Sequence, residues 1–200
     1  MKERPILFST PMVRAILEGR KTQTRRVLNC DHPVVTGFIP NGTHYWQGTA
    51  ISKAVEQQYI STFPRVVKCP FGAVGDRLYV RETWSTHACF DDILPRNIPV
   101  RSIHYWADGE VKTGKKRSSI HMPQWASRIL LEITNIRVER LNDISEADAV
   151  AEGMIADDDY CAEEYFSMLW NEINGWKEKG WNANPWVWCI TFKVIEGGAT

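Results

Sequence analysis

Two alternating apolar runs bracket a pair of helical segments in the last third of the chain, and this order constrains the fold more than any other feature. In SRILLEITNIRVER (127–140), Ile129, Leu131 and Ile133 alternate with Leu130, Glu132 and Thr134, and Ile136 and Val138 continue the pattern. A period of two marks a strand. In WVWCITFKVI (186–195), Val187, Cys189, Thr191 and Lys193 share one side and Trp186, Trp188, Ile190 and Phe192 the other. Between the runs, Ser145 followed by Asp148 is a capping-box variant, which starts a helix that ends near Gly153. A second helix is predicted over 161–174, with Tyr165, Met168, Leu169 and Ile173 on its apolar face. Upstream, PILF (5–8) reads as a short strand, and Thr10-Pro11 opens a helix with Thr10 as N-cap. Gly19 stops that helix, and Thr22, Gln23 and Thr24 favour an extended path. Residues 69–84 predict a turn at Gly75-Asp76 and then a strand in which Leu78, Val80 and Glu82 alternate with Tyr79, Arg81 and Thr83. Strands and helices do not alternate regularly, which argues against a doubly wound parallel sheet. The expected fold class is α+β: a small, partly closed β-barrel decorated by two or three helices.

The 200 residues predict a single domain, 1–200, with two insertions, at about 29–66 and 85–120. The first insertion carries Gly37, Pro40, Asn41-Gly42 and Gly48, with a hairpin expected about the Asn-Gly pair. The second contains VRSIHYWADGE, a strand running into a turn, followed by a basic loop with Lys112, Lys115, Lys116 and Arg117. Twenty-four basic side chains balance twenty-four acidic ones. A chain that coats nucleic acid or anionic lipid by bulk charge needs a basic excess, so that class is disfavoured while a local basic groove is not. With 44% hydrophobic residues the chain is not a disordered one. No apolar run reaches the length of a membrane span, and Arg14 and Glu18 interrupt any signal-peptide core. Five cysteines in a chain of this size read as free thiols, so a cytoplasmic location is expected.

The familiar catalytic and cofactor motifs are missing. There is no GxGxxG, P-loop, GxSxG, HExxH or CxxC, and no cofactor is expected. Cys30-Asp31-His32 and His87-Ala88-Cys89 could together offer two thiolates and two imidazoles to zinc. Their spacing matches no standard site, and no metal is expected.

The segment Gly19-Arg20-Lys21-Thr22-Gln23-Thr24-Arg25 carries the chemistry. It puts a lysine and a hydroxyl three residues apart where a helix gives way to an extended segment. A hydroxyl needs a nearby base to become a nucleophile. A lysine serves only if burial or positive neighbours lower its pKa, and Arg20, Arg25 and Arg26 are such neighbours. A carboxylate is missing from the segment itself.

Taken in order, GRKTQTRR, GDRLYV and SEADAVAEGM resemble an ASCH domain, a family with a PUA-like β-barrel and a link to RNA. Its common signature is G-x-K with a glutamate three residues after the lysine; here Thr24 stands at that place. The threonine variant resembles small bacterial amidohydrolases that remove the acetyl group from N(4)-acetylcytidine with a lysine, a threonine and a glutamate. The resemblance implies Lys21, Thr24 and Glu152 as catalytic residues. It extends to longer phage and prophage proteins through CPFGAVGDRLYVRETW and SSIHMPQWASRI. This chain is about twice the length of the small amidohydrolases, and RETW and IHMPQW have no counterpart in them.

The resulting expectation is an amidohydrolase acting on an acylated nucleoside, with Arg20, Arg25, Arg26, Arg81, Glu82, Trp84 and Trp125 as substrate-binding candidates. Trp125 in particular offers a face for stacking on a base. The alternatives are a barrel that binds RNA or a modified base without chemistry and, more weakly, a ribonuclease. The expected partner is a modified nucleoside or short RNA, with no membrane.

Overall fold

The computed structural model describes residues 1–28, 35–39, 43–49, 62–99, 103–109 and 113–196. The central sheet has five strands in the order β1 (Glu3–Leu7), β6 (Arg77–Arg81), β9 (Leu130–Arg140), β10 (Trp186–Glu196) and β2 (Gln23–Val27). The β1–β6 pairing is parallel; β6–β9, β9–β10 and β10–β2 are antiparallel. The two edges of the sheet lean together. Arg26 of β2 donates a hydrogen bond to the Leu7 carbonyl at 2.6 Å, and its guanidinium lies 5.3 Å from the Phe8 ring. Phe8 also packs on Phe192 of β10, with ring centroids 6.2 Å apart. The α+β architecture expected from the sequence is therefore present, with a sheet that curls around its own core.

The α-helices of the described residues are α1 (Thr10–Leu17), α2 (Glu146–Ala151) and α3 (Ala162–Asn174). None is long and apolar enough to cross a membrane. The N-cap of α1 is Ser9, not Thr10; Thr10 already has its place in the helix, with Pro11 behind it in the first turn. The cap of α2 is as expected, with the Ser145 side chain accepting from the Asp148 amide. The long strands need bulges to keep their apolar residues inward. Thr191 pairs with Asn135 while Phe192 pairs with Ile133, so Thr134 is the extra residue on β9. This shift puts both Ile133 and Ile136 in the core despite their odd spacing.

The core divides along β10. Trp188, Ile190 and Phe192 join Ile6, Val13, Ile16, Leu78, Val80 and Leu131 inside the curled sheet. Val187, on the opposite face, packs with Leu141, Ala149, Ala162, Phe166 and Trp170 under α2 and α3. The apolar face expected of α3 is therefore wrong in phase: Ala162, Phe166, Trp170 and Asn171 are the buried residues, whereas Met168 and Ile173 are 46% and 52% exposed. The Phe166 and Trp170 rings bury more area than Met168 and Ile173 can, and they set the rotation of the helix.

The expected insertions carry their own sheets. Strands β3 (Val35–Ile39), β4 (Thr43–Thr49) and β5 (Thr62–Lys68) form an antiparallel sheet in that order. The Asn41-Gly42 pair, where a hairpin turn is expected, lies outside the described residues, as do Cys30, Asp31, His32 and Lys112. Strands β7 (Trp84–Thr86) and β8 (Ile103–Tyr105) pair with each other. They cover a separate cluster of Trp84, Ile98, Met122 and Ala126, with Trp125 against it. The strand expected through Trp84 is interrupted: β6 ends at Arg81, and Trp84 opens the β7 pairing.

Candidate active site between two helix ends

Helices α1 and α2 end in the same way, and their ends meet. After α1, the Gly19 amide donates to the Ile16 carbonyl and the Arg20 amide to the Ala15 carbonyl. After α2, the Gly153 amide donates to Val150 and the Met154 amide to Ala149. Both are Schellman endings, which place a left-handed residue just past the helix. Gly19 and Gly153 take that role, at φ +75° and +95°. Lys21 is the second residue after one glycine, and Glu152 is the residue before the other. The Thr22 amide bonds the Ala151 carbonyl, and the Phe192 amide bonds the Thr22 carbonyl, which pins the segment between α2 and β10.

Lys21 thereby lies against Glu152 in the interior. Its ammonium donates to Glu152 Oε2 at 2.7 Å and to the Glu152 backbone carbonyl at 2.8 Å. The lysine is 1% exposed and the glutamate 2%. Burial holds the Lys21 pKa below the ordinary lysine range; the Glu152 carboxylate opposes that shift, and Arg26 and Arg25 reinforce it. The Phe8 ring, 5.6 Å away, covers another side of the ammonium.

Arg25 holds the other oxygen of the same carboxylate, with Nη1 3.3 Å from Glu152 Oε1. Its second terminal nitrogen donates to Glu139 and, at 3.2 Å, to Asp148. Arg137 completes the set, donating to Glu139 at 2.7 Å, to Gln23 at 2.9 Å and to Asp148 at 3.0 Å. Three cations and three carboxylates thus interleave along one face of the sheet. The strand register explains the arrangement: Arg25 pairs with Cys189, and Cys189 with Arg137, so a small thiol separates two guanidiniums. Glu139, Arg137, Asp148 and Gln23 were missed from sequence. The only available signal was the alternation of charged residues along the outer side of β9.

Thr24 pairs with Ile190 and is buried. With Arg25, Arg26 and Glu152 it lines a hollow of about 290 Å³ between β2 and α3, whose far wall carries Trp170, Asn174 and Lys179. A second hollow, of about 450 Å³, has Glu152 and Arg20 in its lining. The structure therefore gathers Lys21, Thr24, Glu152, Arg20, Arg25 and Arg26.

Arg81, Glu82, Trp84 and Trp125 line neither of these hollows. Arg81 donates to the Met122 carbonyl at 2.6 Å. Glu82 pairs with Arg128 at 3.0 Å, and burial pushes its carboxyl pKa up against that cation. Trp84 is wholly buried, edge-on to Trp125 at 6.3 Å. The Lys115 backbone amide donates to the Asp91 carboxylate at 2.8 Å, and Lys116 sits over Trp106. His87 Nδ1 lies 3.2 Å from Cys89 Sγ. No group of three or more metal-ligating side chains is found among the described residues.

No family model matches the sequence. No curated protein matches it either. Two solved structures are similar over most of the chain. Protein EF3133 from Enterococcus faecalis V583, described under the family model DUF984, is 13% identical at a TM-score of 0.42, covering 98% of this chain and 82% of that one. An ASCH domain from Lactobacillus crispatus JV V101 is 16% identical at a TM-score of 0.39, covering 98% and 80%.

Proposed function

We propose that this chain is an amidohydrolase of the PUA-like, ASCH type that removes an acyl group from the exocyclic amine of a modified nucleoside such as N(4)-acetylcytidine. One observation carries the reading: a buried lysine and a buried glutamate share a proton-bearing contact at 2.7 Å, and that glutamate lines one hollow together with Thr24. A structural salt bridge has no need of a cavity, and a surface binding patch has no need of a fully desolvated Lys–Glu pair.

The proton inventory closes. Burial favours the neutral amine of Lys21, the form in which it serves as a base. The oxygen nucleophile is the Thr24 hydroxyl or a water held by it, and Lys21 takes its proton as attack on the carbonyl carbon begins. Two of the three lysine N–H bonds have acceptors among the described residues, so the re-protonated ammonium has a donor for the oxyanion. Lys21 returns that proton by way of the Glu152 carboxylate to the departing amine nitrogen as the C–N bond breaks. Where Thr24 has taken the acyl group, water then attacks the ester, Lys21 accepts its proton, and that proton goes to the Thr24 oxygen as the carboxylic acid leaves. Arg25, fixed by Glu139 and Asp148, keeps the second oxygen of Glu152 in place.

The test is hydrolysis of N(4)-acetylcytidine by purified protein, followed by absorbance. Turnover that disappears in Lys21→Ala and Glu152→Ala supports the reading; no turnover by folded wild-type protein removes it. A second reading, a module that holds a base or short RNA without chemistry, is favoured by the two guanidiniums and Lys179 around the first hollow. Retention of nucleoside or RNA without hydrolysis, weakening with salt, would favour it.

A further inference from the structure

Glu152 borders two hollows. The first carries Arg25, Arg26, Asn174 and Lys179. The second, of about 450 Å³, is walled by Met12, Ala15, Met154, Ile155, Met168 and Leu169. Met12, Glu152 and Leu169 border both, so a ligand reaching from one to the other passes the carboxylate. Three charged residues also border the second hollow: the Arg20 guanidinium donates to the Gly153 carbonyl at 2.9 Å and is paired with Glu18, Glu152 is paired with Lys21, and Glu172 is exposed. Met168 and Ile155 nonetheless stay 46% and 63% exposed here, with the core-facing side of α3 taken by Phe166 and Trp170.

We infer that the second hollow is an acyl subsite, and that the favoured substrates carry an acyl chain longer than acetyl, up to hexanoyl. This rests on the amidohydrolase reading. A scissile amide beside Thr24 and Glu152 sends its amine toward the hollow that holds Thr24, Arg25 and Arg26, and its acyl substituent toward the larger one. A methyl group fills little of a space of this size, which lies within the roughly 300–1,000 Å³ of small-molecule sites. Three methionines line it, and unbranched, polarisable side chains adapt to chains of differing length.

The test compares N(4)-acetyl-, N(4)-butanoyl- and N(4)-hexanoylcytidine on the full-length protein. kcat/KM should rise by about fourfold for each methylene the hollow buries. Met168→Arg, a change at an exposed position, should erase that rise. A level or falling series overturns the preference. A second readout does not depend on turnover. In protein labelled at the methionine methyl groups, hexanoylcytidine should move the Met154 and Met168 signals, acetylcytidine should not, and Met122 in the separate core should stay still. Methyl signals that ignore the hexanoyl chain overturn the subsite whatever the rates. If none of the three amides is cleaved, the amidohydrolase reading fails, and the methyl shifts still decide whether the hollow takes the chain.

Discussion

The ammonium of Lys21 donates at once to the carboxylate and to the backbone carbonyl of Glu152, across 131 positions of sequence. The second bond matters as much as the first. Glu152 closes α2, where helix carbonyls lack partners of their own. Lys21 therefore serves as the charge partner of the side chain and as a donor to the helix end, and both constraints aim its amine at one place.

Breaking this pair should cost stability as well as activity. Lys21→Met leaves a buried carboxylate without its nearest cation, and such losses run to about 3–5 kcal/mol. Lys21→Met with Glu152→Gln should be less destabilised than the two single changes added together, because no charge is then stranded. Urea denaturation of the four proteins checks this. Either single change should lower kcat roughly 100- to 10,000-fold.

The depressed Lys21 pKa has a signed consequence. Its folded value lies below the ordinary lysine value of 10.5, so in the interval between them the unfolded chain binds more protons than the folded one. Stability from this group therefore rises with pH through that interval and falls as the folded site is forced to hold the proton. Turnover should rise with pH along the same limb, with its midpoint below 10.5. A limb centred at the ordinary lysine value would show that Lys21 does not act as the base.

Asp148 titrates in the opposite sense. Burial raises its pKa, but the Gln23 hydrogen bond and the Arg137 and Arg25 cations outweigh that and leave it lowered from 3.8. Its contribution is complete above 3.8 and is lost as pH falls through the folded value. Asp148→Asn should lower the denaturation midpoint at neutral pH, and the gap from wild type should shrink as the pH is taken below that range.

Gly153 should tolerate no side chain. A Cβ there would sit 2.9 Å from Ala15 Cβ and 3.2 Å from Lys21 Cβ, at φ +95°. A left-handed conformation costs an L-residue about 1–2 kcal/mol before any contact is counted. Gly153→Ala should lose at least that much in thermal or urea denaturation, and it should reduce kcat because the displaced turn carries Glu152 away from Lys21.

The rotation of α3 gives a prediction about packing alone. Phe166→Ala or Trp170→Ala should destabilise by about 3–5 kcal/mol. Ile173→Ser, at a position 52% exposed, should stay within roughly 0.5 kcal/mol of wild type. Equal losses at all three positions would mean that the helix is turned the other way.

Much of the framework was legible because its signals are local. The cap of α2, the glycine stops of α1 and α2, the alternation in β9 and β10 and the turn before β6 depend on residues a few places apart, and these features form close to where they are expected. The phase of α3 was not legible. Its sequence offers two apolar stripes, and the choice between them depends on the space left beneath Val187 and Leu141. The bulge at Thr134 was hidden for a similar reason: an odd spacing of isoleucines becomes regular only once the partner strand absorbs an extra residue.

The candidate site divides along the same line. Sequence alone determined that Lys21 and Thr24 lie together where a helix gives way to a strand, because a glycine stop and an extended run are properties of adjacent residues. Glu152 entered by resemblance, since nothing local links it to Lys21. Tertiary structure decided that the two touch, that Arg25, Glu139, Asp148 and Arg137 stand behind them, and that Trp84 and Trp125 belong to a separate core. The physical reason is that desolvation and Coulomb interaction act through space. A lysine's charge is perturbed by whichever groups the fold brings within a few ångströms, and chain order specifies those groups only after the sheet has curled and the two helix ends have met.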